Sequence, residues 1–331
     1  MARRTNPFQE IYVICNSRNS RSKFEHLPPF PRYLDIELTN TCNFRCLMCP
    51  VGTSSIRREK GFMTDAVFEK IVREITPYRT PVRFIRWGEP LLHPKIIPYI
   101  RLLKAAGILV HINTNGSLLS EKLIDELLSI PLDSLKISFQ GIDRKSYREM
   151  RNNDRFDALV RTVRMLYEKR GERDRPYLHV STTITYETPE QVERFRAELG
   201  EIVDLVTVGR TVLEHIDIDK ADLTDEEKRV LTYLKSQESV VKKHPECPEV
   251  FDKLSINWDG TVSACCGDYD NRMLVGDIRT QSLLEIWNSK AMNRYREILV
   301  ELRHDELPLC RTCYDYFGLQ TPGLQYTTTG P

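Results

Sequence analysis

The sequence predicts an α/β fold with a parallel sheet and outer helices, followed by a small cysteine-rich domain. Between residues 33 and 211, short apolar segments typical of strands alternate six times with amphipathic segments typical of helices. This alternation is the pattern of βαβ units. Five of the nine cysteines then fall between residues 244 and 331. The alternation alone does not distinguish a barrel from a doubly wound sheet.

The individual elements follow from composition and periodicity. Strands are expected at 33–38, 82–86, 109–113, 134–139, 178–184 and 205–208. Helices with one apolar face are expected at 64–75, 95–106, 120–128, 156–168 and 189–199, and a polar helix at 224–236. In the first of these helices Phe68, Ile71 and Ile75 share one face. Thr64 is its candidate N-cap.

The chain divides into five segments. With 331 residues, 40% of them hydrophobic, it can bury one large core and a smaller one. The expected segments are an N-terminal arm (1–30), the alternating domain (31–215), a helical linker (216–243), the cysteine-rich domain (244–320) and a tail (321–331).

The charge balance argues against nucleic acid or a membrane surface as a partner. The 48 basic and 47 acidic residues nearly cancel, so no strong field attracts a polyanion. Basic stretches at 18–23 and 57–60 are interpreted as solvated faces. No apolar run is long enough to span a membrane, and the N-terminus lacks the apolar core of a secretory signal. We therefore expect a cytoplasmic protein, in whose reducing environment clustered cysteines bind metal more often than they form disulfides.

Three cysteines directly follow the first predicted strand. Cys42, Cys46 and Cys49 have the spacing C-x3-C-x2-C. Three thiolates on one loop can ligate three irons of a [4Fe–4S] cluster, whose full protein ligation takes four cysteines. One iron then remains open to a small molecule. The alternatives are a structural zinc loop without its fourth ligand, or three free thiols.

This array resembles that of the radical S-adenosylmethionine (SAM) superfamily, and the resemblance covers roughly residues 30–320. It implies that the open iron chelates SAM. It also implies that the reduced cluster cleaves SAM to methionine and a 5′-deoxyadenosyl radical, which removes hydrogen from an unactivated carbon. The implied fold is a partial (β/α)6 TIM-like barrel, whose working residues sit at the C-terminal ends of the strands.

Further segments resemble the SAM-binding motifs of that superfamily. Gly88 and Glu89 match its Gly-Gly-Glu-Pro motif, whereas Trp87 replaces the first glycine. The resemblance implies that Glu89 holds the amino group of SAM. It also implies that Met48, between the second and third cysteines, contacts adenine.

The fourth strand ends in a segment similar to the superfamily's Ser-x-Asp/Gln-Gly. The resemblance implies that Ser138 and Gln140 contact the carboxylate or ribose of SAM, with an ordinary turn at the strand end as the alternative. Arg151 is a further candidate for the SAM carboxylate. Asn115-Gly116, after the third strand, is interpreted as a turn.

The C-terminal region suggests a second metal site. Cys247, Cys265, Cys310 and Cys313 suit a four-thiolate site, and spacing alone slightly favours zinc over iron–sulfur. The segment Asn257–Asp268 and the later Glu285-Ile-Trp-Asn resemble the SPASM/twitch iron–sulfur domain. That resemblance implies one auxiliary [4Fe–4S] cluster, with all four ligands supplied by these cysteines.

Two cysteines remain. Cys266 is adjacent to a predicted ligand, and three roles are open: replacing Cys265 as a ligand, an inert buried thiol, or a hydrogen-atom donor to a substrate radical. Cys15, in the arm, is interpreted as structural or incidental.

The resemblance implies an enzyme that acts on a small-molecule substrate. A short chain with one auxiliary cluster looks like the branch that acts on aminocyclitols, aminoglycosides and other sugar-like molecules. Epimerisation, with Cys266 as the hydrogen donor, and alcohol oxidation are the expected reactions. The alternatives are a peptide- or protein-modifying maturase and a non-catalytic iron–sulfur electron carrier. A flavodoxin or ferredoxin is the expected reductant.

Overall fold

The computed structural model of the chain describes residues 4–17, 19–211, 213, 216–236, 239–243, 246–313 and 317–320. The predicted tail lies outside the described residues. The strands are β1 Tyr33–Ile36, β2 Val82–Phe84, β3 Val110–Thr114, β4 Ser134–Ser138, β5 Tyr177–Ile184, β6 Leu205–Arg210, β7 Ser239–Lys243, β8 Lys253–Ile256, β9 Thr261–Ser263, β10 Leu274–Asp277 and β11 Phe317–Gln320.

The helices cover the expected segments and add several. They are α1 Gln9–Cys15, α2 Ser20–Glu25, α3 Asp65–Ile75, α4 Ile96–Ala105, α5 Glu121–Ser129, α6 Arg144–Arg151, α7 Phe156–Arg170, α8 Pro189–Gly200, α9 Asp225–Ser236, α10 Glu249–Asp252, α11 Leu283–Trp287 and α12 Lys290–Val300. Every strand and helix expected from the sequence is present, with ends that differ by at most two residues. None of the described helices is both long and apolar enough to cross a bilayer.

The order of the strands identifies a singly wound, barrel-type sheet. β1 to β6 are parallel and neighbour one another in chain order. A doubly wound sheet would reverse direction at an inner strand. Here each right-handed crossover advances the chain the same way, so the crossover helices lie on one face. The predicted α/β fold with a partial barrel is confirmed.

The sheet continues into the cysteine-rich segment. β8 pairs with β1 in parallel, and β9 and β10 extend it as antiparallel strands, which gives the order β10-β9-β8-β1-β2-β3-β4-β5-β6. The segment limits drawn from the sequence stay predictions. The two cysteine-bearing regions nevertheless share one sheet.

Alternation along the strands separates an apolar outer face from a polar inner face. Leu34, Ile112 and Val180 belong to the core between sheet and helices. The intervening positions face the inside of the barrel and carry polar side chains. These inner side chains include Asp35, Arg83, His111, Asn113, Lys136, Ser138, His179 and Ser181.

The N-terminal arm covers the end of the barrel opposite the cysteine loop. The ring of Phe8 is fully buried and meets His111 edge-on at 5.8 Å. Arg4 donates to the carbonyls of Gly171 and Arg173, which precede β5, at 2.8 and 2.9 Å. Lys23, in a stretch interpreted as solvated, donates to the Cys15 carbonyl at 2.8 Å and pairs with Asp252. The interpretation is wrong for Lys23, because its side chain is only 11% exposed.

We expect the inner-face histidines to make the fold sensitive to acid. Burial, reinforced by the charge of Lys136, lowers the pKa of His179 to about 3. Burial, reinforced by Arg83, also holds the pKa of His111 well below its ordinary value. The unfolded chain therefore binds more protons, and the free energy of unfolding falls as the pH drops below the ordinary histidine value of about 6.5 toward about 3.

Thermal denaturation between about pH 7 and pH 5 measures this effect. The apparent melting temperature should fall with pH in the wild type and fall less steeply in His179→Gln. The exposed His26→Gln is the matched control and should keep the wild-type slope. An unchanged slope in His179→Gln would contradict the assignment.

Candidate active site

The three cysteines after β1 line a cavity of about 220 Å3, which we term the first cavity. The loop brings Cys42, Cys46 and Cys49 to the C-terminal ends of the strands, as parallel barrels require. Most of the predicted SAM contacts lie on the same wall. Those that do are Met48, Gly88, Glu89, Ser138 and Arg151.

Hydrogen-bond donors point at the cysteine sulfurs. The backbone N–H of Phe44 donates to Cys42 Sγ at 3.4 Å, and Arg151 Nη1 donates to Cys46 Sγ at 3.4 Å. Burial raises the pKa of Cys42 to about 12. Cluster binding must therefore displace protons, and donors aimed at sulfur stabilise the resulting thiolates and set the potential of a cluster.

The loop that presents Glu89 depends on a glycine. Gly88 has φ +92°, and a Cβ there would lie 2.2 Å from the Thr39 carbonyl oxygen. The Glu89 carboxylate accepts bonds from Thr114 Oγ1 at 2.7 Å and from the backbone N–H groups of Asn115 and Leu91 at 2.8 and 3.0 Å. A carboxylate offers about four acceptor positions. One thus remains for a cationic donor, as the predicted contact with the SAM amino group requires.

The C-terminal end of β4 and helix α6 complete the wall of the first cavity. Ser138 Oγ donates to Asn113 Oδ1 at 2.9 Å. Arg151 Nη2 donates to the Ser138 carbonyl at 2.5 Å, and its buried Nε has no hydrogen-bond partner among the described residues. Gln140 is not on this wall. Its amide donates to Thr211 Oγ1 at 2.6 Å and accepts from Thr183, so its contact with SAM stays a prediction.

Sequence reasoning missed two parts of this site. Asn115, interpreted as a turn residue, lines the first cavity and donates to Asn43 Oδ1 at 2.9 Å. Its position directly after β3 was the available signal. Gly116 does form the turn, with φ +75°. α6, which carries Arg151, was not predicted because Tyr147 and Met150 are its only large apolar side chains.

A second cavity of about 400 Å3 lies between the barrel and the cysteine-rich segment. Its wall includes all four predicted auxiliary ligands and the extra thiol, namely Cys247, Cys265, Cys310, Cys313 and Cys266. Four residues, Ile85, Arg86, Trp87 and Asn113, line both cavities. The two cavities are therefore adjacent.

The two neighbouring thiols are hydrogen-bonded to each other and both lie near Glu249, but their other partners differ. Cys265 Sγ accepts the backbone N–H of Gly267 at 3.3 Å, whereas Cys266 Sγ donates to Glu249 Oε2 at 3.1 Å. The electrostatic neighbours of Cys265 include Cys247, and those of Cys266 are Cys265, Glu249 and Lys253. The arrangement favours Cys265 as the ligand.

The donor set of the second cavity fits an iron–sulfur cluster. Cys247, Cys265, Cys310 and Cys313 line the same cavity, and four thiolates are the ligand set that a [4Fe–4S] cluster takes.

Buried arginines connect the two cavities. Arg86, whose φ of 139° is unusual for a residue other than glycine, donates to the carbonyls of Asp268 and Cys265 at 2.8 and 3.4 Å. Arg58 forms a bidentate pair with Glu37 at 2.8 and 2.7 Å and donates to the Tyr269 carbonyl. Interpreting residues 57–60 as a solvated face is wrong for Arg58, whose side chain is 7% exposed.

A buried ion network borders the second cavity. Asp35 accepts from Arg83 Nε and Nη2 at 2.7 and 2.9 Å and from Lys253 Nζ at 3.1 Å. Lys253 also pairs with Glu249. Burial alone would raise the pKa of Asp35, but Arg83 and Lys253 more than offset it, and the pKa lies below its usual range.

Known proteins resemble both the barrel and the cysteine-rich segment. Residues 36–199 match the model of the radical SAM superfamily, and residues 247–314 match that of the SPASM iron–sulfur cluster-binding domain. The tungsten-containing aldehyde ferredoxin oxidoreductase cofactor-modifying protein of Pyrococcus furiosus is 25% identical over 316 residues, which are 85% of this chain and 87% of that protein.

Two solved structures share the fold. BtrN in complex with AdoMet and 2-DOIA has a TM-score of 0.57 and 16% identity, covering 90% of this chain and 97% of BtrN. SuiB of Streptococcus suis bound to precursor peptide SuiA has a TM-score of 0.62 and 16% identity, covering 88% of this chain and 72% of SuiB. The matched family models together span more than two thirds of the chain. The protein therefore belongs to the radical SAM superfamily of enzymes and carries a SPASM domain, and its cofactors are SAM, a [4Fe–4S] cluster and further iron–sulfur in that domain.

Proposed function

We propose that the protein removes a hydrogen atom from a carbon of a sugar-like small molecule held in the second cavity, and that epimerisation follows. The adjacency of the two cavities carries this proposal. Because Trp87 and Asn113 line both, a molecule in the second cavity would lie beside SAM in the first. The auxiliary cluster would occupy the part of the second cavity beside its cysteine ligands, and the substrate would lie against the part of the wall that includes Trp87 and Asn113.

The residues of the first cavity would orient SAM. Cys42, Cys46 and Cys49 would hold the cluster, and Glu89 would accept from the amino group of SAM. Arg151, whose Nε bonds to none of the residues that the structure describes, is the candidate for the SAM carboxylate. When bound, the cluster and SAM supply a 5′-deoxyadenosyl radical. The protein contributes orientation and exclusion of water.

Cys266 supports epimerisation as the outcome. Its thiol lies on the wall of the second cavity and donates to Glu249. After the substrate C–H bond is broken, the Cys266 S–H bond would deliver a hydrogen atom to the opposite face of the carbon radical. The sulfur radical left behind needs one electron and one proton to return to the thiol. One auxiliary [4Fe–4S] cluster on Cys247, Cys265, Cys310 and Cys313 would be the neighbouring electron source.

The comparisons support two other outcomes. The fold likeness to BtrN bound to 2-DOIA favours oxidation of an alcohol on a sugar-like ring, in which the auxiliary cluster would accept an electron. The likeness to SuiB with its precursor peptide favours peptide modification instead. Family membership argues against a mere electron carrier. A flavodoxin or ferredoxin is the proposed reductant.

An anaerobic assay in deuterated water tests the proposal. The reconstituted protein would receive dithionite, SAM and a panel of sugars and aminocyclitols, with 5′-deoxyadenosine and product mass as readouts. Epimerisation predicts one deuterium in an isomeric product, because the Cys266 thiol exchanges with solvent. Cys266→Ala should abolish isomer formation, whereas Cys15→Ala, which changes a buried thiol in α1, should not.

The other outcomes are equally distinct. A product lighter by two hydrogens, formed equally by Cys266→Ala, would replace epimerisation with oxidation. A protein that binds about eight irons but responds to no sugar would contradict the small-molecule proposal and favour peptides.

A further inference from the structure

One cation on the inner face of the barrel has no counter-ion among the residues that the structure describes. Lys136 forms no ion pair or hydrogen bond with any residue that the structure describes. The charged side chains near it are all neutralised. Arg83 is held by Asp35 and lies over the Tyr33 ring at 4.5 Å, and Lys253 is held by Asp35 and Glu249.

Among the charged side chains that strands β1–β6 and β8 direct inward, together with Glu249, one positive charge is left over. Asp35 and Glu249 are negative, whereas Arg83, Lys253 and Lys136 are positive. The inner-face histidines are held neutral by burial, as the low pKa of His179 shows. The surplus charge is that of Lys136.

Lys136 stands beside the wall of the reaction cavities. It lies directly opposite Asn113 on β3 and His179 on β5 in the sheet register. Lys136 is not among the residues that line either cavity, but neighbouring strands are only about 4.8 Å apart, a distance that the lysine stem can span toward Asn113. The flanking Leu135 and Ile137 face the core, which places Lys136 on the inner face. Its side chain is partly exposed, and on that face the exposure is to the lumen.

We propose that Lys136 binds an anionic group of the substrate, a carboxylate or a phosphate, in the barrel lumen next to the second cavity. The inference rests on the proposed function and narrows its substrate class. Sugar acids and sugar phosphates would neutralise the positive charge of Lys136. A protonated amine would be repelled by that charge, which argues against an aminocyclitol with its ammonium group beside Lys136. Neutral hydroxyl groups accompany the lysine, because Ser138, Ser181 and Thr207 are opposite one another in the next row.

Electrostatics agree with this geometry. Burial and the charge of Arg83 lower the pKa of Lys136 to about 8. Both burial and the charge of Arg83 disfavour the charged ammonium when the lumen is empty. An anion at hydrogen-bond distance would instead favour the charged ammonium. Binding of an anionic substrate should therefore secure the charged form of Lys136.

Matched pairs of compounds test the proposal on the reconstituted holoprotein. Glucuronate and glucose 6-phosphate are compared with glucose, and galacturonate with galactose, by the concentration that half-maximally stimulates 5′-deoxyadenosine formation. We expect an anionic member to act at the lower concentration. If glucuronate acts at the lower concentration, the bound group is a carboxylate. If glucose 6-phosphate does, the bound group is a phosphate. Lys136→Met should raise that concentration roughly 10- to 150-fold, the loss of one charged hydrogen bond.

Two variants control this result. Lys136→Arg keeps the charge and should retain most of the preference, and Lys122→Met removes an 88% exposed lysine and should behave as wild type. Equal half-maximal concentrations of an anionic sugar in wild type and Lys136→Met would overturn the proposal.

A second measurement does not depend on turnover. Labelling of Lys136 by an amine-selective reagent is followed by mass spectrometry with inorganic phosphate or glucuronate present. Either anion should slow labelling of Lys136 and not of Lys122. If no sugar stimulates the wild type but an anion protects Lys136, the proposed function fails and the anion site stands. If neither anion protects Lys136, the site is refuted.

Discussion

Replacing Cys42, Cys46 and Cys49 together with alanine is expected to lower the iron content of the reconstituted protein from about eight to about four. The variant should no longer cleave SAM. These thiols line the first cavity with Glu89 and Arg151, whereas the auxiliary ligands lie in the second. Iron analysis and the electron paramagnetic resonance spectrum of the reduced protein measure the loss of one cluster and the survival of the other.

Single variants distinguish ligands from other thiols. Cys265→Ala should lower iron binding at the auxiliary site, because Cys265 lies with the other ligand cysteines. Cys266→Ala should keep about eight irons, because its thiol is bonded to Glu249. Cys15→Ala is the control for a buried thiol outside both cavities. Wild-type iron content in the triple variant, or zinc in place of iron at the auxiliary site, would refute this assignment.

Asp35→Asn is expected to destabilise the fold by about 3–5 kcal/mol, the usual cost of breaking a buried ion pair. The fully buried carboxylate of Asp35 neutralises Arg83 and Lys253, which join β1 to its neighbours β2 and β8. The neutral asparagine amide would remove the anionic partner of Arg83 and leave Lys253 paired with Glu249. The apparent melting temperature should fall by about 6–20 °C, as measured by calorimetry under anaerobic conditions.

An exposed pair provides the matched control. Asp157 pairs with Arg144 at 2.7 Å, but the two side chains are 46% and 80% exposed. Asp157→Asn should therefore cost at most about 1 kcal/mol. If Asp35→Asn and Asp157→Asn shift the melting temperature equally, the buried network does not hold the two halves of the sheet together.

Local sequence patterns determined most of the fold and the identity of the cluster loop. The apolar spacing of Phe68, Ile71 and Ile75 is a property of a single helix, and Thr64 caps that helix as expected. The spacing of Cys42, Cys46 and Cys49 likewise concerns one loop. Such patterns need no knowledge of distant parts of the chain, because helix faces, strand alternation and loop ligands repeat at fixed intervals.

Only the tertiary structure decided which distant residues meet. β8 pairs with β1 across more than two hundred residues of sequence, and that pairing brings Lys253 to Asp35. Arg58 has the sequence context of a surface residue, yet it is buried on Glu37. Lys136 looks like an ordinary strand residue in the sequence, and only the structure shows that no described acidic side chain pairs with it. Charge compensation and burial depend on partners from other strands, and local periodicity carries no information about those partners.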